Sequence, residues 1–165
     1  MKITPESAFQ YDVRKHRDPL LPLLTIYVSG AFIPKNGRTA EILFGSQTVE
    51  LMCLNEGDGF TIETLDDSED ILIQTFQRDT YKSIDAFQLR LKNKKKNSQG
   101  YQDKRLCLTR TSLVRQLVKV RGDSSPENII RLDYQLEDSS RGEYPPRTYR
   151  LRFLKAFRRP QKPKN

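Results

Sequence analysis

Apolar residues in this chain fall mostly at alternate positions in short runs, the pattern of strands rather than helices. Leu24-Thr25-Ile26-Tyr27-Val28 is rich in β-formers and predicts a strand, and residues 48–54 read as a strand buried on both faces. Phe60 and Ile62 alternate with Thr61 and Glu63, and a further strand is expected over 71–76. Phe87, Leu89 and Leu91 alternate with Gln88, Arg90 and Lys92, which predicts a half-exposed strand with a basic outer face. A short strand restarts at 105–108, and 148–153 would turn Tyr149, Leu151 and Phe153 inward and Arg150 and Arg152 outward. Asn55-Glu56-Gly57-Asp58-Gly59 and Asp66-Asp67-Ser68-Glu69-Asp70 have the composition of turns.

Two segments read as helices. Residues 38–44 end at Gly45, a residue suited to a left-handed helix cap. After Thr109 or Thr111 as cap, Leu113, Val114, Leu117 and Val118 form one apolar stripe, with Arg110, Arg115, Lys119 and Arg121 off it. Residues 125–136 carry two signals. Ser125-Pro126-Glu127 is a helix start, whereas Ile130, Leu132, Tyr134 and Leu136 alternate with Arg131, Asp133 and Gln135. The persistence of that alternation favours a strand. The expected fold is then α+β, β-rich with two short helices, written as two similar β-α-β-β halves. If the helix forms instead, the C-terminal half becomes winged-helix-like.

The expected organisation is an N-terminal arm over 1–23, a β-rich half over 24–76, an α+β half over 77–154 and a disordered tail over 155–165. The net charge of +8 hides a steep split between these parts. Residues 1–76 carry 6 Lys/Arg against 12 Asp/Glu, and residues 77–165 carry 23 against 9. The second half is therefore expected to meet a polyanion.

Phe32-Ile33-Pro34-Lys35, followed by a short helix, Gly45, a strand and a Gly-Asp turn, resembles the AbrB-type swapped-hairpin family over about residues 26–64. The resemblance implies a DNA-binding transcriptional regulator, usually dimeric, with Lys35 and Arg38 as the residues that transfer.

Groups for catalysis are sparse. His16 is the only histidine, beside a basic stretch, and Cys53 and Cys107 are far apart with apolar neighbours, so two buried free thiols are expected. Phosphate-loop, nucleophile-elbow and two-histidine zinc motifs are absent, so no enzyme activity, cofactor or metal is expected. The acidic run 66–70 lacks calcium-loop spacing and reads as a solvated turn. Met1-Lys2-Ile3-Thr4-Pro5-Glu6 is not a signal-peptide start, and no apolar run approaches a membrane span, so a cytoplasmic protein without a membrane partner is expected.

The positive candidates are four basic elements. Lys92, Lys94, Lys95 and Lys96 occupy a polar loop between two strands, which would make a β-ribbon with a lysine-rich tip. Arg110, Arg115 and Lys119 lie on the second helix, Arg131, Arg150 and Arg152 on strand faces, and Arg158 and Arg159 with Lys162 and Lys164 on the tail. Each element would neutralise a few phosphates. Tyr101, Tyr134, Tyr144 and Tyr149 are candidates for stacking on bases. The expected function is non-catalytic binding of nucleic acid, DNA ahead of RNA, by a regulator or accessory factor. The alternative is an inhibitor or adaptor of phage or mobile-element type, docking a basic face on a nucleic-acid-handling protein. A protein partner or homodimer fits either.

Overall fold

In the computed structural model, which describes residues 24–33, 39–66, 68–80, 85–136 and 146–160, the alternating segments become strands of one antiparallel sheet. The first part of the chain supplies β1 (Leu24–Tyr27), the single-turn helix α1 (Ser29–Phe32), β2 (Glu41–Phe44), α2 (Ser46–Leu51), β3 (Gly59–Thr64) and β4 (Ile71–Phe76). The second part supplies β5 (Phe87–Gln88), β6 (Arg90–Leu91), β7 (Leu106–Thr109), α3 (Thr111–Val120), a 3-10 turn (Pro126–Asn128), β8 (Ile129–Leu136) and β9 (Thr148–Arg158). The fold is thus strand-rich α+β with three short helices. A strand–helix–strand–strand order occurs twice, as β2-α2-β3-β4 and β7-α3-β8-β9.

The sheet runs β5-β3-β4-β9-β8-β1-β2-β7-β6. Its two edge strands are neighbours in the chain, parted only by Leu89. The Leu89 N–H donates to the Asp58 carbonyl at 2.9 Å, and its own carbonyl accepts from the Gly57 N–H at 3.0 Å. Residues 87–91 therefore pair with β3 on one side and β7 on the other, and the sheet is nearly closed into a barrel. Closure removes the exposed edges that an open sheet would present. Asp58 fastens the seam, its carboxylate accepting from the N–H groups of Asn55 (2.9 Å) and Arg78 (2.8 Å). Gly57 beside it has φ +91, a left-handed conformation that favours glycine, and the Arg78 side chain lies against it, 3.0 Å from where a Cβ would be.

Register aligns the apolar positions into belts across the strands. Leu24 lies beside Phe44 and Tyr134, and Phe44 beside Leu106; Ile26 lies beside Ile42 and Leu132, and Ile42 beside Leu108. All of these are buried. Phe44 meets Phe60 edge-on with ring centroids 5.2 Å apart. Fully burying each such side chain stabilises the fold by roughly 1.5–3 kcal/mol. Strands β1–β4, from the acidic half, and β5–β9, from the basic half, share this sheet and one core.

Several expectations need correction. The segment read as a helix over 38–44 contains β2 instead, because residues 41–44 pair with both β1 and β7 and so satisfy their backbone groups in the ladder. The segment read as a strand over 48–54 carries α2 instead. Thr48 within it and Met52 at its C-cap, four apart, are buried, a helical spacing. Gly45 is the extended N-cap of α2 (φ −63, ψ 161) rather than a C-cap. Helix α1 was not foreseen, and α3 starts after Arg110 with no side-chain cap from either threonine.

Neither a winged-helix half nor an AbrB-type fold forms. Ser125-Pro126-Glu127 makes only a 3-10 turn before β8, whose ladders with β1 and β9 hold it extended. The residues resembling AbrB exchange helix and strand relative to that pattern. The expected tail is partly strand: β9 continues to Arg158, pairing Lys155 with Asp133 and Phe157 with Arg131. The arm over 1–23 with His16, Lys35, Arg38, Tyr144 and residues 161–165 with Lys162 and Lys164 lie outside the described residues.

Candidate nucleic-acid interface

The lysine-rich loop stands on a two-stranded ribbon, as its flanking alternation implied. Arg90 lies opposite Cys107 and Leu91 opposite Leu106, and the Lys92 N–H extends the ladder to the Arg105 carbonyl at 3.0 Å. Beyond that point the loop organises itself through its own polar side chains. The Asn97 side-chain oxygen accepts from the N–H groups of Gln99 and Tyr101, each at 2.9 Å, while the Asn97 N–H donates to the Tyr101 carbonyl at 2.9 Å. Such side-chain mimicry of a turn is what asparagine does best. Gly100, at φ +79, completes the tip. Lower down, Gln102 Nε2 donates to the Asn93 carbonyl at 2.7 Å and Asn93 Nδ2 to Asp103 Oδ2 at 2.8 Å.

The loop itself, with Ser46 of α2 at its margin, surrounds an open cleft of about 760 Å³, lined by Lys92, Lys94, Lys95, Lys104 and Arg105 against the single carboxylate of Asp103. Two of the five cations are already engaged. Lys92 Nζ contacts Glu41 Oε2 at 2.6 Å, tying the base of the loop to β2. Glu41 is buried, and its second oxygen has no partner, so Lys92 is what compensates that charge. Arg105 forks onto Asp103, Nη2 to Oδ2 at 2.8 Å and Nε to Oδ1 at 3.1 Å. That fork holds the Asp103 carboxyl well below the usual carboxylate range and raises Arg105 in turn. Lys94, Lys95 and Lys104 remain exposed, with no ion pair among the described residues.

The other expected cations are not gathered here. Strand β9 is separated from β7 by β8, β1 and β2 one way and by β4, β3 and the 87–91 stretch the other, which sets Arg150 and Arg152 across the barrel from the ribbon. Arg150 Nη2 bonds Asp70 at 3.0 Å, and Asp70 also accepts the Phe153 N–H at 2.9 Å. Burial alone would raise Asp70, but these bonds outweigh it and leave its carboxyl lowered. Asp70 is therefore a staple of β9 rather than part of a merely solvated turn.

Arg131 donates to Asp133 at 3.1 Å and lies over the Phe157 ring at 3.9 Å, and Arg158 pairs with Asp123 at 2.7 Å. Arg115 donates to the Ala31 carbonyl at 2.7 Å, and Arg110 lies over Phe87 at 5.7 Å. Arg159 is half-buried after β9. Lys96, Lys119 and Arg152 are exposed, but only Lys96 shares the ribbon loop.

Lys104 and Arg105 were missed as site residues although they follow the polar loop directly. A hairpin brings its returning arm beside its outgoing one, and that signal was present in the reading of a ribbon. Among the tyrosines, Tyr134 is buried edge-on against Phe153, and burial pushes its hydroxyl up. Tyr149 packs half-buried against the core. Tyr101 is 60% exposed and lines the cleft.

Cys53 is exposed, at φ +51, against the expectation of burial; Cys107 is half-buried, and burial pushes its thiol up. Among the described residues no group of three or more His, Cys, Asp or Glu is placed to hold a metal, and no helix is long and apolar enough to cross a membrane. No protein-family model, curated protein or solved structure matches the chain.

Proposed function

We propose that this protein binds nucleic acid without catalysis, holding the sugar–phosphate backbone in the cleft of the ribbon loop. The observation that carries this reading is the charge left over in the cleft. Lys94, Lys95 and Lys104 converge there with no ion pair among the described residues, beside an ordered loop that fixes the backbone carrying them. A lysine ammonium is a compact charge suited to a phosphate oxygen, and three on one concave surface attract a line of phosphates rather than a lone carboxylate. The cations elsewhere that support their own strands contribute to the general field and not to the contact.

Binding of a fluorescent mixed-sequence oligonucleotide, followed by anisotropy from about 50 to 200 mM salt, tests the reading. Affinity is expected to fall with a slope of log K against log salt of about −2 or steeper, since each of three phosphate contacts contributes about 0.7 on a single strand and about 0.9 on a duplex. Absence of binding at the low end, or affinity indifferent to salt, overturns it.

A further inference from the structure

We infer that the strand held in the cleft is single-stranded, with Tyr101 serving as a platform on which one unpaired base stacks; this rests on the nucleic-acid reading of the cleft. An aromatic ring that is 60% exposed, standing in a lysine-lined hollow, has apolar faces that its own fold leaves unused. The backbone that carries it is nonetheless held in place. Both backbone groups of Tyr101 are bonded to Asn97, and the neighbouring Gly100 has open space around it, so the turn rather than side-chain packing presents the ring. Lysines flank it from both arms of the loop, Lys94 and Lys95 on the outgoing one and Lys104 on the returning one.

Duplex DNA offers such a ring only base edges and sugar–phosphate, because its base faces are already stacked on each other. An unpaired strand offers a base face within reach of its own phosphates, the combination that basic grooves with aromatic platforms exploit. The polar side chains nearby argue for tolerance of sequence. The Asn97 side-chain oxygen accepts two backbone N–H groups, and Asn93 Nδ2 donates to Asp103, so part of each amide's hydrogen-bonding capacity is spent on the loop and its orientation is set by the turn instead of by a base edge. Stacking needs only a π-face, which every base has.

The test uses the full chain, wild type and three variants: Tyr101→Ala, Tyr101→Phe, and the triple change Lys94→Ala/Lys95→Ala/Lys104→Ala. Each is titrated at one low salt concentration against a short mixed-sequence DNA strand, its RNA counterpart and the corresponding DNA duplex. Wild type is expected to prefer a single strand over the duplex. Tyr101→Ala is expected to weaken the preferred strand about tenfold, with Tyr101→Phe near wild type and the duplex affinity unmoved. The inference is overturned if Tyr101→Ala leaves single-strand affinity unchanged, or lowers single-strand and duplex affinity alike. In either case, weaker binding by the triple lysine variant leaves the nucleic-acid reading standing. Failure of wild type to bind any of the three probes removes both. Tyr101 contributes little buried surface, and an unchanged melting temperature for Tyr101→Ala separates loss of binding from loss of fold.

Discussion

Lys92 and Lys95 stand three positions apart on the same loop, yet their surroundings give them different work. Lys92 is about one-third exposed and compensates the buried Glu41 carboxylate, whereas Lys95 projects into the cleft with no ion pair among the described residues. Removing the Lys92 ammonium leaves a buried charge with one oxygen already unpartnered. Lys92→Ala is therefore expected to lower unfolding stability by about 1–3 kcal/mol. Lys95→Ala, a surface change, should stay within about 0.5 kcal/mol. Chemical denaturation of the two variants checks this, and equal stabilities would show that Glu41 does not depend on Lys92. The distinction was invisible in the sequence. Glu41 lies 51 residues from Lys92, and only the pairing of β2 with β7 and of β7 with β6 brings them together.

At the scale of the element, the ribbon is braced by Asp103. Its carboxylate accepts from Asn93 and from the Arg105 guanidinium and N–H, so both arms of the loop meet on one side chain. The Arg105 bonds depress the Asp103 pKa, so the bracing is complete above the unfolded carboxyl value, about 3.9, and is lost as pH falls through the lower folded value. The Arg105 amide resonance is expected to hold steady from neutral pH down through the free aspartate value of about 3.9 and to move only well below it. Asp103→Asn should abolish that movement. A resonance that titrates near the free aspartate value, about 3.9, would show that Arg105 does not hold the carboxylate as the structure indicates.

The ribbon was the most legible element, because two alternating arms and a Lys/Asn/Ser/Gly loop specify a hairpin locally. The two segments on either side of Gly45 were the least legible. Four residues, 41–44, are too few to express a period, and their strand state comes from partners on both sides. Ser46–Leu51 is apolar and β-branched in part, and it still forms a helix because that places Thr48 and the C-cap Met52 on one buried face. The closing seam was beyond the sequence as well. Phe87 to Leu91 reads as one strand, and nothing local says that its two ends pair with different neighbours.

Over the whole molecule, the charge split along the chain does not become a charge split in space. Lys92 pairs with Glu41, Arg121 with Glu69 and Arg150 with Asp70, each joining the basic half to the acidic one through the common sheet. Three cations of the second half are thus matched by carboxylates of the first, and among the four basic elements the ribbon cleft is where uncommitted lysines gather. The cleft residues Lys94 and Lys95 were chosen from the sequence for their position on a hairpin loop, and Lys104 belongs with them. Arg131 was chosen for its strand face and Arg158 for its place on the tail, and their carboxylate partners lie at the other wall.

The most direct test of this account compares the salt dependence of oligonucleotide binding for two sets of variants. Lys94→Ala/Lys95→Ala/Lys104→Ala is expected to reduce the magnitude of the slope on a single strand by about 2, close to 0.7 for each phosphate contact removed. Arg131→Ala/Arg158→Ala, which subtracts charge from residues paired with Asp133 and Asp123, should leave the slope as it is. An unchanged slope for the lysine set, or an equal fall for the arginine set, would contradict the placement of the interface in the ribbon cleft.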